Sequence, residues 1–149
     1  MNKYQKSVLK NFVIVIVLTT AAVVAMVNFK DWVNRSEATR AMEQLGKAVF
    51  QYRKDYGSVP PESYVDSIKE QLEGHARFGE VNYRARWLSF DSPPDEILAY
   101  IETKYHLSFL EDGFIVLTMD GRATRMDRQT FETTLARQQD PMERQIQHK

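Results

Sequence analysis

The 149-residue chain has no cysteine. That excludes a disulfide, a thiol nucleophile and a cysteine-linked lipid anchor, and it leaves a zinc ion only His75, His106 and His148. No two of these are four residues apart, the spacing that sets two imidazoles on one helix face, so they read as ordinary surface histidines. There is no glycine-rich phosphate loop and no Gly-x-Ser-x-Gly elbow. Neither glycine nor proline occurs before Gly46, so no residue interrupts helix over that length. Acids are also missing from residues 1–30, which hold Lys3, Lys6, Lys10 and Lys30; the first acid is Asp31. Those four lysines leave 16 basic residues against all 20 acids, a mildly acidic remainder within a chain of zero net charge. Nucleic acid is therefore not an expected partner, because a phosphate backbone calls for a basic surface.

What is present begins with an apolar run at residues 12–27, FVIVIVLTTAAVVAMV. Its 16 residues make roughly 24 Å of helix, and extension to Phe29, with Lys10 and Lys30 reaching outward, approaches the thickness of a hydrocarbon core. Ten Leu, Ile, Phe and Val side chains in the run, each favourable by roughly 0.3–0.6 kcal/mol, outweigh Thr19 and Thr20. Tyr4 and Trp32 stand where interfacial aromatics belong. The lysines before the run, against mixed charges after it, place the N-terminus in the cytoplasm. The expected organisation is a cytoplasmic basic segment at 1–11, a transmembrane helix at 12–29, an extracytoplasmic α+β domain at 30–139 and a polar tail at 140–149. Two competing readings of the run are a cleaved signal peptide, with Val23 and Ala25 at the cleavage site, and a buried core helix.

The helix is expected to continue past the span, since Ala38, Ala41, Met42, Leu45, Ala48, Val49, Tyr52 and Tyr56 keep helical spacing. Gly57 supplies a C-cap, Pro60 and Pro61 stop the helix, and Gly46 reads as a close-packing position. A second helix is predicted over 61–73 with Val65, Ile68 and Leu72 inward. Val81, Tyr83, Ala85 and Trp87 alternate with Asn82, Arg84 and Arg86, as in a half-buried strand. Ser92, Pro93 and Asp95 predict a capped helix start with Ile97, Leu98, Ile101 and Tyr105 on its buried side. Three short strands are expected over 107–126, with a hairpin at Asp120–Gly121, then a helix over 130–138 and one more turn at Asp140–Pro141.

The run ATRAMEQLGKAVFQYRKDYGSVPP, residues 38–61, resembles the corresponding stretch of type IV pilins and type II secretion pseudopilins. The matching residues are Ala41, Leu45, Ala48, Tyr52, Asp55, Gly57 and Pro60. The layout is similar too: an apolar half-helix, an amphipathic half-helix, then a small domain whose antiparallel sheet packs on the second half. That family carries a leader ending in Gly and a Glu five residues into its apolar run; here the first glycine is Gly46 and no acid precedes Asp31. The resemblance implies a pilin-like fold on a permanent anchor.

The candidate site residues follow from these readings. Arg77, Arg84 and Arg86 form an expected basic patch on the solvent face of the first strand, either a solvated face or a dock for an acidic partner or lipid headgroups. Asp112 and Asp120, each before a glycine, are the calcium candidates, which the pseudopilin resemblance makes relevant; two turns of a meander account for them as well. Asp91, Asp95 and Glu96 around Ser92 read as acids drawn to a helix N-terminus rather than as catalysts. Tyr83, Trp87 and Phe90 read as core. The expected protein is a non-enzymatic, single-pass protein of the bacterial inner membrane with a periplasmic domain, an assembly or scaffold subunit of a secretion or pilus-related complex. Its partners would be membrane lipid and other envelope proteins, with a homo-oligomer as a further option. A membrane-anchored sensing or ligand-binding module is the alternative.

Overall fold

The computed structural model describes residues 2–72, 79–105 and 108–147. A single helix, α1 (Lys3–Tyr56), runs for 54 residues, roughly 80 Å at 1.5 Å per residue. Asn2 opens it by accepting from the Lys3 amide at 2.8 Å, and the Gln5 side chain accepts from the Asn2 amide at 3.0 Å, so two otherwise orphaned donors are satisfied. Gly57 closes it at φ 66°, its amide bonded to the Arg53 carbonyl at 2.8 Å, a left-handed cap that favours glycine.

After α1 come α2 (Glu62–Lys69), β1 (Asn82–Tyr83), a 3₁₀ turn (Ala85–Trp87), β2 (Ile97–Thr103), β3 (Gly113–Thr118), β4 (Ala123–Asp127), α3 (Arg128–Gln138) and α4 (Pro141–Gln147). The four strands form one antiparallel sheet in sequence order. This is an α+β fold with a long N-terminal helix, as the sequence indicated.

The sheet is the middle layer of three. On one face lies the second half of α1, whose Ala38, Ala41, Met42, Leu45 and Val49 pack with Ala99, Ile101, Ile115 and Leu117. On the other lies α3, whose Phe131 and Leu135 pack with Ile97, Tyr100, Phe114 and Val116. Phe114 and Phe131 stack with ring centroids 3.8 Å apart. Full burial of each Leu, Ile or Phe stabilises the fold by about 1.5–3 kcal/mol, so the β2–β3 pair is the energetic centre. Gly46 lies close against β3 and the turn that follows it. A Cβ there would lie 2.8 Å from both the Gly121 carbonyl oxygen and Leu117 Cδ1, which bears out the close-packing reading.

Several expectations are corrected. The helix predicted from Ser92 is absent; residues 97–103 are β2 instead. With α1 on one side and α3 on the other, β2 is buried on both faces, so Ile97, Leu98, Ala99, Tyr100 and Ile101 form an unbroken apolar run that can be mistaken for a helix stripe. A bulge between Ile97 and Ala99 puts Leu98 and Ala99 both toward α1, which blurs the period of two further. Residues 107–126 supply two strands rather than three, since the third partner is β2. The Asp120–Gly121 hairpin is as expected. The strand expected over 81–87 has only two residues in the sheet, and α2 ends at Lys69. The segment after residue 140 is no loose tail: α4 is anchored by Glu143, which is 1% exposed.

Candidate functional site

The first half of α1 leaves the domain bare. Every described side chain from residue 2 to residue 26 is exposed, including Phe12, Ile14, Ile16 and Leu18, and the most apolar window of the helix has none of its residues buried. Among the described residues, α1 alone is long and apolar enough to cross a membrane. This argues against the core-helix reading of the run, because nothing among the described residues covers it. Tyr4 and Trp32, at its two ends, are exposed, and Phe29 stacks on Trp32 with centroids 6.2 Å apart.

Where α1 leaves the apolar run, the chain between β2 and β3 meets it. Asn28 Oδ1 accepts from the Phe109 amide at 2.7 Å and from the Ser108 hydroxyl at 3.1 Å, while Asn28 Nδ2 donates to the Val24 carbonyl at 2.8 Å. Asp112 Oδ1 accepts from the Tyr105 amide at 2.8 Å and ties the other end of the same connection. One turn further along α1 is a polar niche of about 190 Å³, bounded by Asp31, Asn34 and Arg35 on α1, by Glu102 near the end of β2 and by Lys104 and Tyr105 after it. Asp31 Oδ2 and the Tyr105 hydroxyl are buried there and find no hydrogen-bond partner among the described residues, the state expected of groups that meet a polar ligand or water. Arg128 and Lys104 flank Glu102, and their hydrogen bonds hold its carboxyl below the usual carboxylate range.

The expected basic patch does not exist as drawn. Arg86 is exposed, its guanidinium over the Trp87 ring at 5.7 Å from the centroid. Arg84 is 2% exposed. The strand stops at Tyr83, and Arg84, at φ −98° and ψ 13°, turns its side chain inward ahead of the 3₁₀ turn. Its Nε and Nη2 donate to the two carboxylate oxygens of Glu143 at 2.6 and 2.9 Å, and its Nη1 donates to the Ile97 carbonyl at 2.7 Å. Glu96 stands 3.9 Å away. Arg84 is thus a buried bolt between the sheet edge and the last helix. Arg77 lies outside the described residues, as do His75, His106 and His148.

Asp112 and Asp120 sit at opposite ends of β3, roughly 20 Å apart at 3.3 Å per residue, and cannot share an ion. Asp120 is engaged in its own turn. Partial burial pushes its carboxyl up, but the Thr118 hydroxyl, the Arg122 amide and the Arg122 charge together hold it below the usual range. Asp127, the other acid near the hairpin, caps α3 through the Thr130 amide and hydroxyl. Among the described residues no group of three or more acids or histidines is placed to hold a metal ion.

Asp91, Asp95 and Glu96 do not cap a helix. Ser92 Oγ accepts from the Ser89 amide, the Asp95 carbonyl accepts from Gln138, and Glu96 faces Arg84. Phe90 is exposed beneath the Arg53 guanidinium and is not core, whereas Tyr83 and Trp87 are half-buried. The residues that carry the pilin resemblance shape the helix exit. Ala41 and Leu45 are core, Ala48 is half-buried, and Tyr52 packs between Tyr56 and Tyr64 at 4.5 and 4.6 Å. Asp55 accepts from Gln51, Gly57 caps, and the buried Pro60 offers its carbonyl to the Tyr83 hydroxyl at 2.8 Å. Burial, then the neighbouring Tyr52, raises the Tyr83 pKa well above its ordinary value. Glu143, Asn28 and Arg53 were not singled out by sequence reasoning; their partners are tens of residues away, and no local spacing announces them.

The chain matches no family model, no curated protein and no solved structure.

Proposed function

We propose that the chain is a non-enzymatic, single-pass protein of the bacterial inner membrane, with its N-terminus in the cytoplasm and a pilin-like domain in the periplasm. It serves as an assembly or scaffold subunit of a secretion or pilus-related envelope complex. The observation that carries this reading is the divided character of α1, exposed and apolar all round over residues 12–26 and core on one face from Ala38 to Val49. A helix that is anchor at one end and core at the other couples the domain rigidly to the bilayer, which suits a part that positions other parts. The Tyr-Gly-Pro exit and the meander of strands on the second half-helix support the pilin likeness. Extraction of the intact chain in mild detergent should yield a defined complex with other envelope proteins. Recovery of the chain alone in every condition would overturn the scaffold role. Protease added to spheroplasts should digest the domain beyond Trp32 and spare the first ten residues.

One observation favours a second reading, a membrane-anchored sensing or binding module. The niche between Asp31 and Tyr105 holds two buried polar atoms with no hydrogen-bond partner among the described residues. A thermal shift of the full chain with a small polar ligand would support that reading.

A further inference from the structure

We infer that Phe109 is a second membrane contact, a side chain that enters the lipid interface beside the anchor and fixes how the domain stands on the bilayer. The inference rests on the anchor reading of α1 and adds a site to it.

The depth of Phe109 follows from its hydrogen bonds. Helical side chains point back toward the N-terminus, and Asn28 does so here, since its Nδ2 reaches the Val24 carbonyl one turn earlier. Its Oδ1 therefore lies beside the turn between Val24 and Asn28, the last turn of the apolar run. The Phe109 amide donates to that oxygen at 2.7 Å, and the Ser108 hydroxyl does so at 3.1 Å. The backbone at 109 is thereby held level with side chains that the anchor reading places in lipid.

The Phe109 ring is 86% exposed, more than any other large apolar side chain among the described residues. The described residues leave it almost wholly uncovered, though its backbone is held by specific bonds. Leu110 donates its amide to Ser108 Oγ at 3.2 Å, and the Tyr105–Asp112 bond ties the connection further back. An aromatic ring held bare on a braced backbone, beside the end of a span, occupies the position that aromatic residues favour at a membrane interface. The continuity is chemical as well as spatial. Phe29 and Trp32 are exposed on α1 at the same end, with Lys30 next to Phe29 in the helix and Arg35 beside Trp32, cations that complement anionic headgroups. The occupant is therefore the lipid surface. A helix alone leaves rotation about its axis free; a second contact from the β2–β3 connection sets one face of the domain toward the bilayer.

Because the chain lacks cysteine, single cysteines can be introduced without background. Full-length Phe109→Cys, Trp32→Cys and Phe90→Cys would each carry a nitroxide and be reconstituted in vesicles of phosphatidylethanolamine and phosphatidylglycerol. Collision with oxygen and with a water-soluble nickel chelate is then read at each position. The expected result is that 109 resembles 32, oxygen-accessible and shielded from nickel, while 90 shows the reverse. If 109 resembles 90 while 32 stays shielded, the Phe109 contact is wrong and the anchor stands. If 32 and 109 are both nickel-accessible, the anchor reading fails and takes this inference with it. Spin–spin broadening at 109 that vanishes on dilution with unlabelled chain would put the ring against a second copy and overturn the lipid assignment.

Discussion

Replacing Glu143 with Gln tests the bolt that joins the last helix to the sheet. The substitution keeps the side chain's shape and removes its charge, so the Arg84 guanidinium, 2% exposed, loses its bidentate partner. Breaking a buried pair by removing one charge costs about 3–5 kcal/mol, because the remaining ion stays desolvated without compensation. Glu96, 3.9 Å from Arg84 and partly exposed, retains part of the balance, which sets the expectation at the lower end, about 3 kcal/mol. At about 4 °C per kcal/mol for a domain of this size, Tm should fall by about 12 °C. There is a second readout. Met142 and Ile146 are exposed, so α4 has little apolar contact to hold it once Glu143 is neutral, and residues after 140 should become open to carboxypeptidase. The assay is thermal and urea unfolding of the full chain in detergent, with Arg84→Met/Glu143→Leu as the companion. Replacement of both ions by apolar groups removes the stranded charge, and the double variant should regain most of the lost stability. A Glu143→Gln protein that melts within 2 °C of the parent, at about half a kcal/mol, with α4 still protected, would refute the reasoning.

Gly46→Ala should lower stability by about 1–3 kcal/mol in urea unfolding, despite alanine's better helix propensity, since the new Cβ meets the Gly121 carbonyl oxygen at 2.8 Å and backbone cannot step aside. Tyr83 has a raised folded pKa, so its contribution is fully present below the ordinary tyrosine value of about 10 and is lost as pH rises beyond it. Urea midpoints measured from pH 8 to 11 should fall above pH 10, and fall less in Tyr83→Phe. Val15→Arg/Leu18→Arg should release the chain from membranes in carbonate extraction, because each arginine adds about 2.5–3.5 kcal/mol to insertion near the centre of a span.

The parts of the fold legible in the sequence are those whose cause is local. α1 could be read because no glycine or proline interrupts it before Gly46, because Gly57 and Pro60 end it, and because its burial changes from none to one face along the chain. The Asp120–Gly121 hairpin was legible for the same reason: φ 83° at Gly121 is a property of one residue. β2 was not, since its all-apolar character depends on α3, a helix that reaches its far side from a later part of the chain. Arg84 was misplaced because alternation was extended through a 3₁₀ turn, and its partner Glu143 lies 59 residues away. Asp112 and Asp120, the two calcium candidates, were each legible as a turn residue before a glycine, but their separation by the length of β3 was not.

The coverage of the sheet on both faces has a consequence for where this protein meets anything else. α1 and α3 close the two apolar faces of β2 and β3 within the chain. Phe50 and Tyr56 on α1, Phe90 in a loop, and Met142 and Ile146 on α4 are exposed, but they are spread over separate elements and form no single patch with the span. The concentrated apolar surface is instead at one end, from Tyr4 through Trp32 on α1, joined by Phe109. A partner recruited through burial of greasy surface would have to compete with lipid for that end. The domain's distal faces, charged and mixed, are left for contacts of the polar kind, which form and separate more readily. For the scaffold role proposed above, this distribution directs the search for protein contacts to the side of the domain away from Phe109.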